Sequence, residues 1–337
     1  MQSILDRLEQ LRRWIESQFP GHGFSLASAS SDASFRRYFR VSFSEGGPTL
    51  VAMDAPPPQE DCRPYVHVAG LMAKAGLHVP EILAQDIGRG FLLLSDLGTK
   101  TYLDALNEGA QPDLLYRDAT GSLIAWQLAS RAAVLPIYDE ALLRRELDLF
   151  PEWYVNRHLG MCLSQNQSDA LEKVFRAILA NALSQPRVFV HRDYMPRNLM
   201  VADPNPGVLD FQDAVFGPIT YDVVSLLRDA FISWDEERVL DWAIRYWERA
   251  RAAGLPVAFD FAEFYRDFEW MGLQRHLKVL GIFARIRHRD GKPGYVEDAP
   301  RFVAYVRHAA ARYGALRPLL KLFDELEDRK PQVGYRR

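Results

Sequence analysis

The chain has 337 residues, of which 48% are hydrophobic and 25% charged, and its formal net charge is -3. That length bounds one large or two ordinary globular domains, and the charge balance gives no overall pull toward nucleic acid or a membrane surface. Cys62 and Cys162 stand far apart without metal-ligand spacing, which argues against a disulfide framework.

The opening MQSILDRLEQLRRWIESQF carries charges throughout and has no apolar h-region, so it does not read as a signal peptide. No apolar run approaches the roughly 20 residues of a spanning helix. A cytoplasmic monomer is expected, with no nucleic-acid or membrane partner.

In chain order, Leu5, Leu8, Leu11 and Ile15 recur at helical spacing and predict an amphipathic first helix. FSLASAS, FRRYFRVSFS and TLVAMDA then read as short strands with turn residues between them. The prolines of PPPQED end the third strand, and YVHVAGLMAKAGL is a helix stopped near Gly76. EILAQDI and GFLLLSDL form a strand pair joined by the turn signal GRG.

Beyond Gly98 helical patterns dominate: Leu114 to Leu128, Glu140 to Leu149, Leu171 to Leu183, Val223 to Phe231, Val239 to Ala250, Phe261 to Ile286 with a break or two, and Phe302 to Tyr313. A small strand-rich part therefore precedes a larger helical one, with the boundary near residues 95–100.

The exception to the helical texture is VFVHRDYMPRNLMVADPNPGVLDFQDA, from Val188 to Ala214. Strand-like runs bracket Asp193 and Asn198, and Asp210 ends the next strand. A lone Asp between strands is usually a turn residue. Phosphoryl transfer from a nucleotide, however, needs a carboxylate to take the acceptor's proton, and an amide oxygen with a second carboxylate to hold Mg²⁺. His191, Asp193, Asn198 and Asp210 supply that ordered set. His191 reads as a hydrogen-bonder behind the loop, and Arg192 and Arg197 as solvated surface, with Arg197 near enough in sequence to touch a phosphate.

The stretch resembles the catalytic and metal-binding loops of the aminoglycoside phosphotransferase branch of the protein-kinase-like fold, which also contains choline, homoserine-type and sugar kinases. The following GPITYDVVSLL resembles that branch too, and implies a structural Asp222 capping a helix.

The implied fold class is α+β and bilobal, with a small antiparallel-sheet N-lobe and a larger, mostly helical C-lobe. Residues 1–97 would form the nucleotide-binding lobe with its leading helix, and residues 98–330 the catalytic and acceptor-binding lobe. The implied cofactors are ATP and Mg²⁺, with Asp193 as catalytic base and Asn198 and Asp210 on the metal.

SSDASFRRYFRV resembles the serine-rich version of the hairpin that covers the nucleotide, which implies phosphate contacts from Ser31 and Ser34. GFLLLSDLG resembles the hinge, with Ser95 and Asp96 where the backbone meets adenine. The departure is LVAMDAPP: Met53 and Asp54 stand where the family has its phosphate-binding lysine. Arg36, Arg37 and Arg40 are the candidate replacements. Strand alternation puts Arg36 and Arg40 on one face and Arg37 on the other, and Arg37 is taken as the one that reaches inward.

Two stretches bear on the acceptor. In RRELDLFPEWYVNRHLG, Trp153 and Tyr154 with Glu146 suit a sugar, whose C–H face stacks on rings; the alternative is a helix end packed by aromatics. MGLQRHLKVLGIFARIRHRDGK carries a dense set of cations including Arg275, with Leu273, Leu277 and Leu280 as its buried stripe; the alternative is a solvated basic face. A basic helix facing the acceptor would repel a polycationic aminoglycoside and suit an anionic sugar.

Both stretches, with VAMDAPP and FLLLSDLG, resemble the bacterial cell-wall-recycling kinases. The resemblance implies a small amino-sugar substrate, N-acetylmuramate or N-acetylglucosamine, phosphorylated at the anomeric hydroxyl. Arg275 or a neighbour would then meet the lactyl carboxylate. An aminoglycoside or other small-alcohol kinase is the alternative with the same chemistry. A nucleotide-binding pseudokinase acting through a partner is the alternative of another class.

Overall fold

The computed structural model describes residues 4–30 and 35–328. Helix α1 (Ile4–Gln18) precedes β1 (Phe24–Ser30), β2 (Arg37–Phe43) and β3 (Leu50–Asp54), then α2 (Arg63–Lys74), β4 (Ile82–Asp86) and β5 (Phe91–Ser95). Next come α3 (Tyr102–Asn107), α4 (Pro112–Leu128), α5 (Glu140–Leu147), a π-helical stretch (Phe150–His158) and α6 (Gln165–Ser184). Short strands follow, β6 (Arg187–Val190), β7 (Leu199–Met200), β8 (Gly207–Val208) and β9 (Val215–Pro218). Helices α7 (Tyr221–Leu227), α8 (Glu236–Ala252), α9 (Phe261–Asp290), α10 (Ala299–Arg312) and α11 (Arg317–Asp328) follow among the described residues. No helix among the described residues is long and apolar enough to cross a membrane.

The chain divides into two compact units, one running to Ala125 and including Arg197–Asp213, the other comprising Trp126–Pro196 and everything from Ala214. In the first, a five-stranded antiparallel sheet has the order β1-β2-β3-β5-β4. Residues Leu11, Trp14 and Ile15 of α1 pack on Val41, Ala52, Phe91 and Leu93 from one face of that sheet. The helical spacing of the first set and the two-residue alternation of Phe39, Val41 and Phe43 make this contact, and each fully buried side chain of this kind contributes about 1.5–3 kcal/mol. The β4–β5 turn needs its glycine: Gly90 has φ +72°, and a Cβ there would sit 1.9 Å from the carbonyl oxygen of Ala55.

The second unit is built on α9. Its side chains are buried over most turns from Phe264 to Ile286, including the polar Gln274, Arg275, His276 and Lys278. The expected breaks are absent, and α9 runs unbroken for 30 residues. Gly281 serves packing instead: a Cβ there would lie 2.5 Å from the backbone of Leu149, so the bare glycine lets the segment entering the π-helical stretch approach the helix closely.

The reading as a solvated basic face holds only for the last turns, because Arg275, His276 and Lys278 point into the protein. Three elements were not read from the sequence, the short helix α3 among them. The π-helical stretch from Phe150 carries Pro151 in its first turn, where proline is tolerated, and α11 repeats the amphipathic pattern of α1 through Leu319, Leu322, Phe323 and Leu326. Neither cysteine forms a disulfide; Cys62 is buried and Cys162 exposed.

Candidate active site

In the first unit a cavity of about 510 Å³ opens against β2, β5 and the residues that follow β5. Tyr38, Arg40, Tyr65, Asp96, Asn198 and Asp210 are among its walls. The side chains of Ser95 and Asp96 are occupied by the protein itself. Ser95 Oγ accepts from the Glu81 amide at 2.8 Å. Asp96 accepts from Arg40 Nε at 2.5 Å, Thr49 Oγ1 at 2.7 Å and the Gly98 amide at 2.9 Å. Burial pushes the Asp96 carboxyl up, but the bonds from Arg40, Thr49 and Gly98 outweigh it and hold the group below its ordinary range.

Arg37 lies on the other face of β2, the α1 face shared with Phe39 and Val41, whereas Tyr38 and Arg40 face the cavity. Its Nε donates to Asp54 Oδ2 at 3.1 Å and its Nη2 bonds the same oxygen. Arg7 reaches the other oxygen at 2.9 and 2.7 Å, so the wholly buried Asp54 is held between two guanidiniums. The predicted opposition of Arg37 and Arg40 is observed, while Arg36 lies before β2; the face that meets the cavity is that of Arg40. Arg36 approaches Glu60, with Nε 3.6 Å from Oε2. Ser31 and Ser34 lie outside the described residues.

Asn198 and Asp210 are joined by the β7–β8 ribbon and by a bond from the Leu209 amide to the Asn198 carbonyl at 2.9 Å. Asn198 Nδ2 lies 3.4 Å from Asp210 Oδ2, and Gln212 Nε2 donates to Oδ1 at 2.8 Å. Asp210 adopts φ +62°, a conformation few residues other than glycine tolerate, and Asp does so more readily than most. The adjacent amide and carboxylate, both partly exposed at the cavity, form the oxygen-rich donor set that suits Mg²⁺. Arg197 lines the same cavity.

In the second unit β6 pairs with β9 and delivers the loop carrying Asp193. The Asp193 amide donates to Nδ1 of the buried His191 at 3.2 Å. The Asp222 carboxylate accepts the amides of His191 at 2.6 Å and Arg192 at 3.0 Å. Asp222 lies inside the first turn of α7, so it holds the loop that leads to Asp193 and does not cap the helix. Burial pushes its pKa up to about 7, against the two amide bonds.

Arg192 is not solvated surface. Its backbone has φ +78°, and its Nη2 lies 2.6 Å from Glu146 Oε1. Glu146 also receives Lys278 Nζ at 2.9 Å, Gln274 Nε2 at 3.1 Å and the Tyr138 hydroxyl. Burial pushes the Glu146 carboxyl up, but the charges of Lys278 and Arg192 and the Tyr138 bond pull it down to about 2.

Tyr154 is buried and stacked on Phe150, while Trp153 is half-buried with the Arg157 guanidinium 6.0 Å from its ring centre. Arg275 is buried, and its charge favours the ionised forms of Asp222 and Asp229. The Glu146–Lys278 pair was missed from sequence; its one signal is a lysine one residue past Leu277 of the apolar stripe. Among the described residues Glu236, Glu269 and His308 gather their ligand atoms within 4.8 Å, but Arg312 bonds both carboxylates, which makes the group an ion-pair network.

The five-stranded antiparallel sheet with its cavity and the mostly helical remainder of the chain suit a phosphoryl-transfer enzyme of protein-kinase-like fold. The chain belongs to the phosphotransferase enzyme family, whose pattern matches residues 25–256. It is 56% identical to the N-acetylmuramate/N-acetylglucosamine kinase of Pseudomonas aeruginosa over 97% of each chain. In structure it is similar to choline kinase LicA from Streptococcus pneumoniae, with a TM-score of 0.63, 11% identity, and 90% of this chain and 99% of that one covered. A complex of APH(2″)-IIa with streptomycin and ATP gives a TM-score of 0.56 at 14% identity, covering 95% of this chain and 96% of that one.

Proposed function

We propose that the protein is an ATP-dependent, cytoplasmic sugar kinase that phosphorylates the anomeric hydroxyl of N-acetylmuramate, N-acetylglucosamine or both in cell-wall recycling, and that it acts as a monomer. The observation that carries this reading is the 56% identity, over 97% of both chains, with the P. aeruginosa kinase named for those two sugars. The intact set of Asp193, Asn198 and Asp210 supports turnover over a pseudokinase role.

Asp193 accepts a hydrogen bond from the C1 hydroxyl and takes its proton as the C1 oxygen bonds the γ-phosphorus. The bond from that phosphorus to the β,γ-bridging oxygen breaks, and ADP leaves with the electron pair. Asn198 and Asp210 would hold Mg²⁺, which when bound supplies neutralising charge at the phosphates. The main chain after β5 binds the adenine. Arg40, on the cavity face of β2, and Arg197 are the cations assigned to the phosphates in place of the missing lysine. Trp153 is the ring assigned to the sugar's C–H face.

Phosphorus NMR of a reaction with ATP and N-acetylmuramate tests the reading. A new anomeric sugar phosphate appearing with ADP is the expected result. Turnover of choline or an aminoglycoside in preference to both amino sugars would overturn it.

A further inference from the structure

The geometry points to Glu146 as a positioning residue for the phosphoryl transfer: with Lys278 it forms an anchor for the Arg192 side chain that fixes the strained turn immediately before Asp193. This inference rests on the kinase reading in assigning Asp193 as the base, and it changes the role of Glu146 from a sugar contact to a support of the loop.

Three observations carry it. First, Arg192 holds a left-handed backbone, φ +78°, which for a long side chain persists only when its surroundings impose it. Second, the residue is held at both ends. Its amide bonds Asp222 at 3.0 Å, and its guanidinium bonds Glu146 at 2.6 Å with the Tyr138 ring centre 5.6 Å away. Third, Glu146 is itself fixed. It is 5% exposed, and its two oxygens receive Arg192, Lys278, Gln274 and Tyr138. A carboxylate surrounded by four donors has little left for a sugar hydroxyl.

The charges add to the case. One buried anion faces two cations, Arg192 and Lys278, leaving a surplus of one positive charge. Lys278 is fixed in turn by its bond to the Tyr221 hydroxyl at 2.9 Å. Both cations are close enough to Asp193 to feel its charge. Removing the Glu146 charge would leave two like charges facing each other in a buried site, and the side chain free to move is Arg192, one residue from the base. A displacement of about 1 Å at a reacting group is enough for a loss of order 10²-fold in rate.

The test compares wild type with Glu146→Gln and with the double variant Glu146→Gln/Lys278→Met, which restores the surplus to one. Glu146→Gln is expected to lower kcat by about tenfold or more, with KM for ATP and for N-acetylmuramate within about twofold. The double variant should recover most of that loss.

A sugar KM raised about tenfold with kcat intact would place Glu146 on the substrate and overturn the inference. Unchanged kcat with only a lower melting temperature would also overturn it, by making the network plain packing. Hydrogen exchange of peptides spanning His191–Asp193 separates this from the kinase reading. Faster exchange in Glu146→Gln is expected even if no sugar is turned over, and unchanged exchange would overturn the anchor on its own.

Discussion

Asp222 accepts the main-chain amides of two consecutive residues, His191 at 2.6 Å and Arg192 at 3.0 Å, so one buried carboxylate holds the turn leading to Asp193. The sign of its pH effect follows from the burial that raises its pKa from 3.8 to about 7. A raised value means the folded state binds the proton more tightly, so its contribution to stability is full below about pH 4 and is lost as pH rises through 7. Glu146 has the opposite sense: its value falls from 4.5 to about 2, so its contribution is present above pH 4.5 and is lost on acidification toward 2. Urea unfolding of wild type, Asp222→Asn and Glu146→Gln across pH 3 to 8 is expected to remove the first slope in one variant and the second in the other. Parallel curves for all three would contradict both assignments.

Replacing Asp193 by Asn keeps the shape and removes the proton acceptor. Turnover should fall by roughly 10²–10⁴-fold, with the melting temperature and nucleotide affinity unchanged. Calorimetric ATP titration alongside the rate assay checks both halves. Near-normal turnover would take Asp193 out of the chemistry.

Arg37 and Arg40 separate by strand face. Arg37→Gln should lower stability by about 1–3 kcal/mol, because Asp54 loses one of its two guanidiniums in a buried site, and should leave the KM for ATP within about twofold. Arg40→Gln should raise that KM strongly, since Arg40 walls the cavity and braces Asp96. The reverse pattern would put Arg37 on the phosphates.

Gly281→Ala inserts a methyl group 2.5 Å from the backbone of Leu149. Overpacking of this kind costs about 1–3 kcal/mol. Thermal unfolding should show the loss, with the same substitution at exposed Gly294 as a control.

Much of the sheet was legible because alternation and turn residues are local signals; the strand pair around Gly90 and the parity of Arg37 against Arg40 both follow from them. The local phosphoryl-transfer motif was legible for the same reason, its residues falling within 20 positions. What could not be read was pairing at long range. Glu146 and Lys278 lie 132 positions apart and meet at 2.9 Å, and nothing in either neighbourhood marks the other. Arg37 was misassigned to the inward face for a related reason: alternation separates two faces, but only the packing of α1 decides which one is covered. The π-helical stretch also eludes local rules, since Pro151 in its first turn separates it from α5 in the sequence while Gly281, which lets Leu149 come close to α9, lies 130 positions away.

The two thiols differ in access, and that difference makes a natural reporter. Cys62 is 2% exposed, with burial pushing its thiol up, whereas Cys162 stands in solvent. A maleimide dye will therefore tag native molecules once, in the helix-rich unit, with no engineered substitution. The second tag arrives only when the neighbourhood of α2 opens, so mass spectrometry of labelled molecules counts opening of the sheet-bearing unit one molecule at a time.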